Sequence, residues 1–236
     1  MRSLGSVETE TAAAYDPFAD WYNDYMSPAV SGDYIERLHG VLGGLLGPGS
    51  GTCLDVCCGT GAHAAVLEQL GWSPVGVDLS RGQLRHARAR LPVAAADATR
   101  LPIADGSVSA VSCVLASTDM PDYPGAVREI ARVLRPGGVF AHIGLHPCYV
   151  GSFADRTDPE RITIDQRYGD RSRSFDSWNA TGVRSRVGAW HVPLSDLLNA
   201  FTAAGLHLVR TAESGAADIP DMFGIRAVKA GKPPSA

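Results

Sequence analysis

The 236-residue chain carries 45% hydrophobic side chains and a formal net charge of −4, with 21 Lys and Arg against 25 Asp and Glu. That length suits one large α/β domain whose core needs no disulfide or metal as a staple, and no metal site is expected. Mild acidity excludes a chain built to coat nucleic-acid phosphates, and no apolar run approaches the ~18 residues of a membrane helix. The N-terminus, MRSLGSVETETAAAYD, has no continuous apolar stretch of the signal-peptide kind. Cys53, Cys57, Cys58, Cys113 and Cys148 are odd in number, and most sit in or beside apolar runs. They read as small buried hydrophobes in a reducing compartment, and the expected location is cytoplasmic.

In chain order, residues 17–26 place Phe18, Trp21, Tyr22 and Tyr25 at helical spacing, and an amphipathic second helix is expected over 33–46, stopped by GPGSG. TCLDVC follows as a buried first strand. A helix over 62–70 ends at Gly71, and PVGVD forms strand two. Ser80 with Gln83 has the form of a capping box opening the next helix, which Pro92 ends before the short third strand VAAAD. Residues 107–115 make a buried fourth strand. A helix over 125–134 is stopped by Pro136-Gly137-Gly138, and VFAHIGL is strand five. After Pro193 a regular helix runs to a Gly205 C-cap, and LHLVRTAE and FGIRAVKA close the chain as an antiparallel pair.

Apolar strands alternating with helices predict a Rossmann-like, mostly parallel seven-stranded sheet with helices on both faces. One segment breaks the alternation. Residues 151–190 hold Phe153, Tyr168, Phe175, Trp178 and Trp190 among seven arginines and six acids; connections this long are usually lids or binding loops, or else surface hairpins. The expected division of this single domain is N-terminal helices over 1–47, a binding core over 48–150, the insert over 151–190, core completion over 191–229 and a frayed tail over 230–236, with the first dozen residues also frayed.

The loop Asp55-Val56-Cys57-Cys58-Gly59-Thr60-Gly61 joins strand one to its helix, where glycines let the backbone approach a ligand and free N–H groups face it. Read loosely, Gly59-x-Gly61-x-x-Ala64 also fits a dinucleotide fingerprint. Asp55, before the glycines, suits a ligand bringing positive charge and would repel a diphosphate. Asp78, ending strand two, can take both hydroxyls of a ribose. Asp97, ending strand three, suits an exocyclic adenine amine. An amine, a ribose and an adenine together describe S-adenosylmethionine.

LDVCCGTG, VGVDLS, AADATRLPIADGSVSAV and LRPGGVF, in this order and spacing, resemble the class I S-adenosylmethionine-dependent methyltransferases, small-molecule enzymes of the ubiquinone-biosynthesis type among them. The resemblance spans roughly residues 15–212 and implies the strand order 3-2-1-4-5-7-6. It implies that Asp55 with the backbone of Gly59 and Gly61 holds the methionine part, Asp78 the ribose, Leu79 the adenine face, and Asp97 with the Ala98 N–H the adenine edge. Ser117 would line the sulfonium region. Tyr15-Asp16-x-x-Ala19-x-x-Tyr22 resembles the family's entry helix, whose tyrosine closes over the cofactor. Cys57, at the rim of the cofactor loop, departs from the family's usual Gly or Ala.

Methyl transfer needs alignment, water exclusion and, for a hydroxyl acceptor, a base. Candidate bases are Asp119 after strand four, His146 emerging from strand five, and His191 at the end of the insert; HPCYVGSF and WHVPLSDLLNAFTAAGL resemble a bacterial subfamily in which both histidines face the acceptor pocket. His142, inside strand five, reads as a packed core histidine, and Tyr149 and Trp178 as pocket walls. The resulting expectation is methyl transfer from S-adenosylmethionine, leaving S-adenosylhomocysteine, to a small metabolite of bacterial secondary metabolism. Ring closure or elimination on a retained cofactor fold, and an NAD-dependent oxidoreductase, are the alternatives. A homodimer or partner subunit is left open.

Overall fold

Strands β1 to β5, β6 and β7 form one sheet in the order β6-β7-β5-β4-β1-β2-β3 in a computed structural model, which describes residues 13–158, 160–177 and 182–231. They span Thr52–Val56, Ser73–Asp78, Val93–Ala95, Val108–Val114, Leu134–Leu145, Leu206–Ser214 and Met222–Lys229. Read from the other edge, this is the order 3-2-1-4-5-7-6. All pairings are parallel except β6 with β7 and β7 with β5. Of the expected frayed ends, 1–12 and 230–236, residues 1–12 and 232–236 lie outside the described residues, as does Trp178.

The helices are α1 (Ala19–Tyr25), α2 (Pro28–Leu46), α3 (Ala64–Gln69), α4 (Arg81–Ala87), α5 (Tyr123–Val133), α6 (Val183–Val187) and α7 (Leu194–Ala203). Helix α2 begins five residues earlier than its amphipathic pattern suggested. Pro28 sits in its first turn with φ already helical, and the chain kinks at Ser31 (φ −125°, ψ 28°) before the regular part begins. Arg226 of β7 then caps its far end, donating to the carbonyls of Leu45 and Leu46. Strand β5 also begins early, at Leu134, taking in Pro136-Gly137-Gly138. The interruption survives as a register shift between Val108 and Ala110 on the partner strand, with Gly137 at φ +76°.

Two apolar layers enclose the sheet. One joins Val111, Phe140 and Ile225 to α5 and α7 through Ile130 and Phe201; the Phe140 and Phe201 rings stack at 5.0 Å. The other seats Leu38, Leu42 and Leu45 of α2 on Ile143 and Met222. His142 is wholly buried in β5, its Nδ1 bonded to the Tyr123 hydroxyl at 2.6 Å, and burial pulls its pKa down to about 3. It is the packed core histidine its place in the strand implied.

Between β5 and α7 the insert forms two small antiparallel pairings, Ala154–Asp155 with Thr163–Ile164 and Arg173–Ser174 with Ala189–Trp190, flanking a short 3-10 turn and α6. The Trp190 N–H donates to the Thr118 carbonyl at 2.9 Å, which fastens the insert to the loop after β4. Among the described residues, no helix is long and apolar enough to cross a membrane.

Candidate active site

The C-terminal ends of β1 to β4 border a crevice of about 150 Å³, which adjoins a cavity of about 880 Å³. Both are lined by Tyr15, Tyr22, Leu115 and Asp119. This is the position in an open α/β sheet where ligands sit, outside the strand carboxyl ends.

The crevice is built by backbone turns that one carboxylate holds together. Asp78 accepts the Gly59 N–H through Oδ2 and the Ser80 N–H through Oδ1, both at 2.8 Å. Two of its roughly four lone-pair directions are used, leaving acceptor capacity toward the crevice it lines. Burial raises its pKa while those two N–H bonds lower it. Only half of the capping box forms. Ser80 Oγ accepts from the Gln83 N–H, but the Ser80 N–H is already taken by Asp78, so Gln83 Oε1 is buried without a partner.

The N-terminal segment is latched onto the same turn. Asp16 Oδ1 accepts from Ser80 Oγ at 2.6 Å and from the Gly82 N–H at 2.9 Å. That latch sets Tyr15 against the crevice, where its ring meets Tyr22 edge-on at 5.3 Å and its hydroxyl donates to Asp119 Oδ2 at 3.2 Å. Asp119 is only partly exposed. Burial lifts its pKa to about 7, against the lowering effects of the Tyr15 bond and of Arg184 and Arg173.

The crevice brings together Tyr15, Tyr22, Cys57, Gly59, Asp78, Leu79, Asp97 and Ala98 from the sequence-derived set. Asp97 keeps one oxygen in a turn with the Thr99 N–H and hydroxyl. Cys57 adopts φ 59°, a left-handed conformation costly for any side chain but glycine, so its departure from Gly or Ala carries backbone strain. Leu115, at the wall shared by the two cavities, has the same φ of 59°. Strain of this kind concentrates at functional sites.

Three members of the set stand apart from the crevice lining. Gly61 is required by packing: at φ +76°, a Cβ there would lie 2.7 Å from Leu91 and 3.2 Å from the Ala87 backbone. Asp55 is buried, taking the Ser112 hydroxyl on Oδ1 at 2.8 Å and leaving Oδ2 unpartnered, with burial raising its pKa to about 7. An ammonium group or one ordered water would satisfy that oxygen. Ser117 is buried, and its Oγ packs beside Gly144.

Of the candidate bases, only Asp119 reaches a cavity. His146 is buried between Glu213, which meets Nε2 at 2.9 Å, and the Cys148 N–H, bonded to Nδ1 at 3.1 Å, with Tyr149 stacked on its face at 4.5 Å. His191 lies between Phe153 and Tyr168, at 4.5 and 5.1 Å, and burial lowers its pKa to about 4. Neither histidine lines either cavity. Both pack the root of the insert.

The residues that the sequence reading missed lie in the large cavity: Tyr25, Met26, Tyr34, Arg37, Arg156 and Arg184. They come from α1, α2 and the insert, and no local motif joins them. The one available signal was the arginine-rich, aromatic composition of the insert.

Residues 54–142 match the methyltransferase domain family. Over 94 residues the chain is 42% identical to the demethylmenaquinone methyltransferase of Mycolicibacterium paratuberculosis, an alignment covering 39% of this chain and 40% of that protein. The chain thus spans well under half the length of that relative. An S-adenosylmethionine-dependent methyltransferase from Mesorhizobium loti superposes with a TM-score of 0.66 at 24% identity, covering 82% of this chain and 96% of its own. A Haloferax volcanii methyltransferase solved with its activator superposes with a TM-score of 0.65 at 19% identity, covering 91% and 98%. Residues 54–142 are thus similar to the methyltransferase domain family and to part of the demethylmenaquinone methyltransferases, and the strand order is that of the superposed methyltransferase folds.

Proposed function

We propose that the chain transfers a methyl group from S-adenosylmethionine to a small, partly apolar metabolite held in the 880 Å³ cavity, in the secondary metabolism of a bacterium. The observation that carries this reading is the shared wall, where Tyr15, Tyr22, Leu115 and Asp119 face both the cofactor crevice and the larger cavity. When bound, the cofactor supplies a sulfonium methyl whose S–C bonding pair stays with sulfur as the acceptor's own electron pair forms the new bond.

The protein's part is placement and proton handling. Asp78 would take the ribose hydroxyls, Leu79 the adenine face, and Asp97 with the Ala98 N–H the adenine edge. Tyr15 and Tyr22 exclude water over the reacting atoms, which strengthens every charge interaction beneath them. We assign Asp119 as the group that accepts the acceptor's proton. A carboxylate with a pKa near 7 is matched to that task at neutral pH, and His146 and His191 line neither cavity.

The test is calorimetric titration with S-adenosylhomocysteine, followed by labelled-methyl transfer into cell-extract metabolites by the purified chain alone. Binding together with Asp119-dependent labelling supports the proposal. Absence of binding removes it, and binding with no labelling from any extract leaves a cofactor-retaining catalyst of another kind. Because the Haloferax volcanii fold neighbour was solved with an activator, labelling that appears only after a second protein is added would transfer the proposal to the complex.

A further inference from the structure

The polar groups of the large cavity do not balance among themselves. Arg37 and Asp221 pair through two 3.1 Å bonds and neutralise each other. Asp119 is held by Tyr15, and Asp33 stands exposed to solvent. That leaves Arg156 and Arg184, both from the insert and both partly buried. Arg156 spends one Nη1 bond on the Tyr149 carbonyl at 2.9 Å. Arg184 makes no side-chain hydrogen bond, and neither guanidinium has a carboxylate within 4 Å among the described residues. Burial pulls the Arg184 pKa down, opposed by the Asp119 charge.

A partly buried guanidinium is seldom left without an anionic partner. Its five donors form a planar fork matched to a carboxylate, and desolvating them without a partner is costly. The backbone that carries Arg184 is tied to its surroundings on both sides. Its neighbour Arg186 stacks on Trp21 with 4.2 Å to the ring centroid and lies 5.7 Å from the Phe18 ring, joining α6 to the N-terminal helix. On the other side, Trp190 bonds the Thr118 carbonyl, one residue before Asp119. Arg184 lines the same cavity as the proposed base, and its charge acts on Asp119 with no ion pair between the two. Between them the wall is apolar and aromatic, with Tyr25, Met26, Leu145 and Val150.

We propose that the acceptor is an apolar or aromatic carboxylic acid, whose carboxylate is held by Arg184 with help from Arg156 while its nucleophilic atom faces Asp119. This rests on the methyl-transfer reading of the same site and adds the charge of the substrate to it. Arg184 is then a specificity-determining residue, since a neutral analogue of the same shape would leave its donors unpaired.

The test compares 2-naphthoate, 9-anthroate and dodecanoate, each against its methyl ester, binding to the wild-type chain saturated with S-adenosylhomocysteine. The expected result is that at least one acid binds about tenfold to a hundredfold more tightly than its ester, as charge-assisted forks do. The preference should fall to within about twofold in Arg184→Gln and be partly kept in Arg184→Lys. Affinity for S-adenosylhomocysteine should stay the same in all three proteins, which also reports that they are folded. Esters binding as well as acids across the set, or no member binding at all, overturns the proposal, as does an acid preference that survives in both Arg184→Gln and Arg156→Gln. Acid preference without any S-adenosylhomocysteine binding would keep the anion site and remove the methyl-transfer reading instead, so the two claims fail separately.

Discussion

The two adjoining cavities are built by different means. The crevice is made of strand ends and tight turns, organised by backbone N–H groups that converge on Asp78, with Asp16 latching the roof to the same turn. The larger cavity is made of side chains from the consecutive helices α1 and α2 and from the insert, which is distant from both in sequence. A backbone-built site constrains its ligand through geometry that few substitutions can alter. A side-chain-built site can be rewritten one residue at a time.

The strongest way to break this contrast is at Asp78. Asp78→Ala removes the proposed acceptor of the ribose hydroxyls and frees the Gly59 and Ser80 N–H groups together. Hydrogen bonds to a charged group contribute about 1.5–3 kcal/mol each. The expected outcome in calorimetry is a loss of S-adenosylhomocysteine affinity of about a hundredfold or more; a change below about fivefold would show that the crevice does not hold the nucleoside.

On the shared wall, Asp119→Asn is expected to lower kcat by about 10²–10⁴-fold while moving the KM for S-adenosylmethionine only a few-fold. The wild-type rate should rise with pH through about 7 as Asp119 deprotonates, and the variant should lose that rise. The stability consequence has a definite sign. A carboxylate whose folded pKa is raised from 3.8 to about 7 makes the folded state progressively less favourable as pH climbs through that window. In chemical denaturation, the stability of Asp119→Asn relative to wild type should therefore increase between about pH 4 and pH 7 and level off above it. A difference that is flat with pH would contradict the burial of this charge.

Tyr15→Phe is a smaller change. Its hydroxyl lowers the Asp119 pKa by donating to it, so removing the hydroxyl should move the pH–rate rise upward by a fraction of a unit up to about one unit, with a few-fold loss of rate at neutral pH. A downward move would reverse the assigned donor. The smallest kinetic effects are expected at His146→Gln and His191→Gln, within about threefold in kcat, with lower Tm because each leaves packed neighbours unsupported. A thousandfold loss of kcat at either histidine, with unchanged fold, would return the base to the insert.

The same contrast explains what was legible in the sequence. Strand order and the crevice follow from local signals: apolar runs bounded by glycine, Ser80 capping α4, and an acid at the end of each of β1, β2 and near β3. The same signals point to Asp78, Asp97 and Tyr15, which line one opening. Gly61 was read as ligand-facing although its position is set by Leu91 and Ala87, because a glycine required by packing looks the same in sequence as one required by a ligand. The early start of α2 was hidden because its first turn is exposed and carries no amphipathic pattern. His146 and His191 looked like bases because histidine after a strand often is one. Only tertiary packing shows that Glu213 and the Cys148 N–H already engage His146, while Phe153 and Tyr168 enclose His191. The arginines of the large cavity carry no motif, and their meaning depends on which carboxylates are absent around them.

Methyl donor and acceptor are proposed to meet at the wall formed by Tyr15, Tyr22, Leu115 and Asp119. The most direct measurement is a crystal structure of the chain with S-adenosylhomocysteine bound. The expected result is the adenine beside Leu79 and Asp97, the ribose on Asp78, and the thioether sulfur at that wall, open to the cavity of about 880 Å³. A sulfur atom turned away from Asp119, or a nucleoside bound anywhere other than the Asp78 crevice, would contradict it.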